Sequence, residues 1–158
     1  MQKITPFLWF DNNAEEAMDF YTSAFHESRV VDESRYGEGA PVPAGTLMSA
    51  TIELEGQELI LFNGGPSVAF SEAVSLFVSC TTQQEIDALW GRLTEGGEPG
   101  RCGWLKDKFG LSWQIVPPVL GTLLGDPDPE KAGRVMQAML QMGKLDIAEL
   151  ERAAHASQ

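Results

Sequence analysis

Apolar residues recur with a period of two over residues 3–10, where Thr5, Phe7 and Trp9 alternate with Pro6, Leu8 and Phe10. Bulky apolar groups on both faces predict a strand buried from two sides. Pro6 suits an edge or a strand start, because it cannot donate to a ladder. Asp11-Asn12-Asn13 then breaks the strand, and Asn13 with Glu16 has the spacing of a capping box. Residues 14–25 take the helical period, with Ala17, Met18, Tyr21 and Phe25 as the apolar stripe and Phe20 and Ala24 beside it. Residues 27–36 read as a strand and 37–45, with Pro41 and Pro43, as a connection. Residues 46–54 and 57–63 form a hairpin around Glu55-Gly56.

The same order then starts again. Residues 74–80 are a strand, Thr82 with Glu85 is a second capping box, and 83–95 is a helix with Ile86, Leu89, Trp90 and Leu93 on one side. Gly96-Gly97 stops it. Two extended runs, 103–106 and 111–116, flank Asp107-Lys108-Phe109-Gly110, which ends in the residue that best tolerates positive φ. Leu111, Trp113 and Ile115 share one face of the second run, while Ser112, Gln114 and Val116 share the other. That contrast predicts a curved sheet with one face packed on helices and the other lining a pocket. Strand, helix and then mostly strands, twice over, is a repeat of architecture.

Residues 118–158 read as helices. Asp128-Pro129-Glu130 supplies an N-cap followed by Pro at the first helical position. Val135, Met136, Met139 and Leu140 form that helix's stripe and Gly143 ends it; Asp146 with Glu149 caps a last helix over 147–154. The methionines are expected as filler of a core or subunit contact rather than as metal ligands.

Composition narrows the function. A chain of 158 residues with 43% hydrophobic content can bury a full core in one domain of two similar halves. The formal net charge of −12 repels phosphate backbones and anionic membranes, so no nucleic-acid or membrane partner is expected. No apolar run approaches the roughly 20 residues of a membrane span. Without a signal-peptide layout at MQKITPFLWF, the expected location is the cytoplasm. Cys80 and Cys102 make no disulfide framework and are read as reduced thiols.

Four segments, ITPFLWFDNNAEEAMDFY (4–21), VSLFVSCTTQQEIDALW (74–90), GGEPGRCGWLKDKFGLSWQIVP (96–117) and DPDPEKAGRVMQAML (126–140), resemble the vicinal oxygen chelate superfamily. This is the fold of glyoxalase I, extradiol dioxygenases and bleomycin-resistance proteins, and the likeness is greatest to its PhnB-like branch. The resemblance implies an α+β fold in which paired βαβββ modules form an open curved mixed sheet around a cleft, commonly as a homodimer. On that reading residues 1–118 are the vicinal oxygen chelate domain, with modules of about 1–66 and 67–118, and 119–158 are a C-terminal helical extension.

Enzymes of the superfamily hold a divalent metal with His, Glu or Gln from the first, fourth, fifth and eighth strands. By resemblance those positions fall at Thr5, Leu61, Val74 or Ser75, and Gln114. One neutral amide cannot offset an ion's dehydration, and His26 and His155 lie elsewhere in the chain. No metal and no cofactor are therefore expected. The cleft residues implied are Thr5, Phe7, Trp9, Leu61, Asn63, Ser75, Phe77, Trp104, Ser112 and Gln114. Phe7, Trp9, Phe77 and Trp104 would stack on a small aromatic or apolar molecule while Gln114 and Asn63 orient it. The alternative for the same residues is a collapsed core, with Gln114 bonded to Thr5, Ser75 or a backbone group.

The branch also carries the label 3-demethylubiquinone-9 3-methyltransferase, so an enzyme of that kind, or of glyoxalase or dioxygenase type, stays open as the alternative function. No glycine-rich strand-to-helix turn with a following ribose-binding acid accompanies that label. Cys102, beside Lys106, is read as an ordinary thiol rather than a nucleophile, and Asp107 as a turn residue. Asn63-Gly64-Gly65-Pro66 lacks the sequel of a phosphate loop and is read as a turn.

Overall fold

A computed structural model describes residues 2–156. The chain divides into two units, Met1–Phe70 and Ser71–Gln158. In the first, β1 (Phe7–Phe10), α1 (Ala14–Ala24), β2 (Ser28–Arg35), β3 (Leu47–Leu54) and β4 (Gln57–Asn63) build a four-stranded mixed sheet of order β1-β4-β3-β2. β1 runs parallel to β4, and the β3–β4 hairpin closes through Glu55 and Gly56, both at positive φ. β1 starts at Phe7, later than expected, because Pro6 has no N–H and joins the sheet only as an acceptor, from the Ile60 amide. Thr5 therefore precedes the strand.

One face of β1, β3 and β4 carries this unit's core. Leu8, Phe10, Ala50, Ile52, Leu59 and Leu61 are buried, as are Ala14, Ala17, Met18 and Tyr21 of α1, which packs on β3 and β4. Asn13 does not supply the anticipated cap: its side chain makes no cap hydrogen bond. Asn63 takes over that role, its Oδ1 accepting from the Ala14 amide at 2.8 Å while Nδ2 donates to the Leu47 carbonyl at 3.0 Å.

The second unit repeats the plan. β5 (Ser75–Ser79), α2 (Gln83–Leu93), β6 (Glu98–Pro99), β7 (Trp104–Lys106) and β8 (Ser112–Val116) form a sheet of order β5-β8-β7-β6, with β5 parallel to β8. Thr82 caps α2 as read from sequence, its hydroxyl accepting from the Glu85 amide. Leu105, Leu111, Trp113 and Ile115 are buried on the helix-facing side, with Ile86, Leu89 and Leu93 of α2. The β7–β8 turn is tied by Asp107, which is 2% exposed. Its Oδ1 accepts from the Phe109 and Leu111 amides and its Oδ2 from the Trp113 indole at 2.9 Å. Gly110 takes φ +89, as the turn demands.

Three helices follow: α3 (Pro118–Leu124), α4 (Pro129–Leu140) and α5 (Ile147–His155). Asp128 and Asp146 cap α4 and α5 as expected. The helical reading extended to Gln158, whose last two residues lie outside the described ones. Leu120, Val135, Leu145, Leu150 and Ala154 form a small core of their own, with Met139 and Met142 packed against it. These helices belong to the second unit. Gln83 donates to the Leu145 carbonyl and accepts from the Ile147 amide, while the Cys102 and Gly103 amides donate to Met142 and Gly143. Among the described residues no helix is long and apolar enough to cross a membrane.

Candidate functional site

The period-two alternation of β5, β7 and β8 decides which residues leave the core. Ser75 pairs with Ser112, Phe77 with Gln114, Trp104 with Gln114 and Lys106 with Ser112. These six side chains share the sheet face opposite α2. All five second-unit residues singled out from sequence (Ser75, Phe77, Trp104, Ser112 and Gln114) are thus brought together. Gln114 is half-buried and its Nε2 donates to the Ser75 hydroxyl at 3.0 Å. Phe77 is 58% exposed. Ser112 is buried, and its hydroxyl oxygen has no hydrogen-bond partner among the described residues.

A cavity of about 430 Å³ opens on this face, its wall including Trp104, Lys106, Ser112, Glu72, Glu98 and Arg101. Lys106 Nζ lies 2.8 Å from Glu72 Oε1. That hydrogen bond, then the attraction between the two charges, raises the lysine pKa above its usual value and lowers that of Glu72; Glu98 adds a weaker pull on Lys106. Arg101 Nη2 donates to the Leu140 carbonyl at the end of α4. Among the described residues no carboxylate pairs with Arg101. The sequence reading did not include Glu72, Glu98 or Arg101 in the site. A lone charge in a connection or on a short edge strand carries no period that assigns it a face.

In the first unit the picture differs. Thr5 is half-buried ahead of β1. Phe7 and Trp9 do leave the helix-facing side, and their register partners Ile60 and Phe62 share their face. The rings touch across it: Phe7 and Trp9 each have their centroid 5.2 Å from that of Phe62, and Phe7 stays 56% exposed at the edge. The Trp9 indole donates to the Gly65 carbonyl at 2.9 Å. A Cβ on Gly64 would meet that ring at 2.1 Å, so the glycine is what lets the loop close over it.

Two expected cleft residues of this unit are corrected. Leu61 is fully buried on the α1 side and cannot line a cleft on the Phe7 face. Residues 59–62 are all apolar, so the pattern does not fix the phase, and a slip of one residue moves every side chain across the sheet. Ile60 and Phe62 stand on the Phe7 face instead. Asn63 falls on the same side as Leu61 and spends both ends of its amide on the backbone, leaving none to orient a ligand.

The metal quartet fares no better. Leu61 is an alkyl chain in the core, and the Gln114 amide nitrogen is directed at a serine hydroxyl. Among the described residues no group of three or more His, Cys, Asp and Glu could hold an ion. The residues present do not fit a divalent metal. Nor do they fit a nucleoside methyl donor bound at a glycine-rich turn: the strand-to-helix connections are Asp11-Asn12-Asn13, Cys80-Thr81-Thr82 and Pro117. Cys80 is a core thiol, and the Cys102 Sγ donates to the Met139 carbonyl. Asp107 serves its turn.

Comparison with known proteins places this arrangement. The PhnB protein from Bacillus cereus is 41% identical, over 73% of this chain and 99% of its own, with a TM-score of 0.68. A Pseudomonas aeruginosa protein is 21% identical over 74% of this chain and 98% of its own, with a TM-score of 0.62. The fosfomycin resistance protein FosX from Listeria monocytogenes, determined with Mn(II) and sulfate, shares the fold at 11% identity and a TM-score of 0.51. It is covered over 92% of its length by 73% of this chain. Among curated proteins none matches. The model of the 3-demethylubiquinone-9 3-methyltransferase family matches residues 2–116, ending before α3. The chain therefore belongs to that family, a PhnB-like branch of the vicinal oxygen chelate fold.

Proposed function

We propose that the protein binds a small, planar, mostly apolar molecule on the open face of the second unit's sheet, without a metal. The observation that carries this reading is the buried Ser112 hydroxyl, unpartnered at the wall of a cavity that it shares with the half-buried Trp104. A buried hydroxyl without a partner costs about 1–3 kcal/mol, a cost that a ligand or an ordered water would relieve. The cavity volume lies within the range of small-molecule sites, roughly 300–1,000 Å³. Trp104 offers a flat apolar wall, and the Gln114–Ser75 pair adds neutral hydrogen-bonding groups on the same sheet face.

A thermal-shift screen of aromatic molecules on the full chain, with and without chelator, tests this. The reading expects stabilising hits that survive chelator and disappear in Trp104→Ala. Hits that require an added divalent ion, or hits indifferent to Trp104, would contradict it.

A homodimer is part of the proposal. Ile4, Phe7, Val30 and Val31 leave apolar surface exposed in the first unit, as Val74 and Phe77 do in the second. Sedimentation should give twice the 17.3 kDa chain mass. With both cysteines free, a reducing compartment such as the cytoplasm is the proposed location.

A further inference from the structure

We propose that the second-unit cavity takes a small aromatic carboxylate, its carboxylate received by Arg101, Lys106 and the Ser112 hydroxyl and its ring laid against Trp104. This rests on the reading of that face as a small-molecule site and adds the sign of the ligand's charge. Three observations carry it.

Arg101 is the first. In a chain with 23 acidic and 11 basic side chains, a guanidinium on the cavity wall has no carboxylate partner among the described residues. Its one hydrogen bond, to the Leu140 carbonyl at 3.3 Å, leaves most of its donors available for an acid. The loop that carries it is fixed: the next two amides, Cys102 and Gly103, each donate at 2.8 Å to Met142 and Gly143. Those acceptors follow α4, beyond the part of the chain that the family model matches. The C-terminal helices of this chain thus position the arginine.

The second observation is the asymmetry of the Lys106–Glu72 pair. Lys106 stands on β7, paired to β6 and β8 on its two sides. Glu72 stands in a turn ahead of β5, and its side chain is 67% exposed. The cation is held by the sheet and the carboxylate is free to swing out, so an incoming carboxylate can take the place of Glu72. An amine ligand would have to displace the strand-bound partner instead.

Register supplies the third. Ser112 lies directly across from Lys106 on the neighbouring strand. Its buried hydroxyl, unpartnered among the described residues, shares the cavity wall with the lysine as a second donor for one anion.

The test uses the full chain and three probes of one shape: benzoate, benzamide and benzylamine, titrated by NMR or calorimetry. Benzoate should bind about tenfold or more tighter than benzamide, as a charge-assisted hydrogen bond exceeds a neutral one. Arg101→Met should weaken benzoate by about tenfold and leave benzamide unchanged, and Arg101→Lys should restore part of the loss. Glu72→Gln should tighten benzoate by about threefold, because an exposed competing ion pair is weak. Ser112→Ala, which leaves the sheet intact, should weaken benzoate. Benzamide binding as tightly as benzoate, benzylamine binding best, or Glu72→Gln weakening benzoate would each overturn the proposal while leaving the small-molecule reading in place. Failure of all three probes to bind would overturn both.

Discussion

The two halves run through the same order of strands and helix, yet they finish their open sheet faces in opposite ways. In the first, Phe7 and Trp9 pack their rings against Phe62, with the Gly64-Gly65 turn drawn onto the Trp9 ring. In the second, the corresponding strands present Ser75, Phe77, Ser112 and Gln114, with Trp104 and Lys106 beside them. Duplicated strands keep their helix-facing residues alike because both must cover a helix, but the other face is free to diverge. One has become aromatic packing. The other keeps donors, charges and a cavity.

Their supports differ too. The first helix is capped from 49 residues away by Asn63, the second locally by Thr82. The first hairpin turns on two backbone residues, whereas the second is held by a buried carboxylate.

The strongest way to break this contrast is Asp107→Ala. It strands the Leu111 amide and the Trp113 indole, both buried, and should cost about 3 kcal/mol or more in urea unfolding at roughly 1–3 kcal/mol per orphaned group. Gly64→Ala comes next. Its Cβ has no room beside Trp9, so the indole must swing off the Gly65 carbonyl, at about 1–3 kcal/mol and with an altered tryptophan emission. Asn63→Ala should cost about 2 kcal/mol and exceed Thr82→Ala at about 1 kcal/mol, because Asn63 leaves both an amide and a carbonyl unpaired. Equal losses in those two variants would erase the distinction between distant and local capping. Gln114→Ala should cost less than about 1 kcal/mol, since water can reach the Ser75 hydroxyl at a half-exposed site.

The smallest effect concerns pH. Lys106 holds the Glu72 carboxyl below its usual range, first through the hydrogen bond between them. A group whose folded pKa is lowered contributes stability that is full above the ordinary Glu value and is lost as pH falls through the folded value. The stability of Glu72→Gln should therefore converge on that of the parent chain in acid and fall slightly below it near neutrality. The gap should shrink with added salt, as the pair is exposed.

Local chemistry made much of this legible in the sequence. The face of Leu111, Trp113 and Ile115 follows from strict alternation, and the caps at Thr82, Asp128 and Asp146 need only their own next three residues. What was lost depends on distance or on phase. Asn13 had the right neighbours for a cap, but no local signal shows that Asn63 will arrive first. Leu59-Ile60-Leu61-Phe62 has no polar residue to set its phase, so Leu61 was placed on the wrong side. Arg101 and Glu72 became site residues only when turns and the C-terminal helices set them beside β7.

Which of the two sheet faces takes a ligand distinguishes the halves functionally. Following the backbone, indole and side-chain amide resonances of the full chain while an aromatic probe is added measures this most directly. The expected result is a shift pattern centred on Ser75, Trp104, Ser112 and the Gln114 carboxamide, with the Trp9 indole still. Shifts centred on Trp9 and Phe62 while the second-unit resonances stay in place would contradict it.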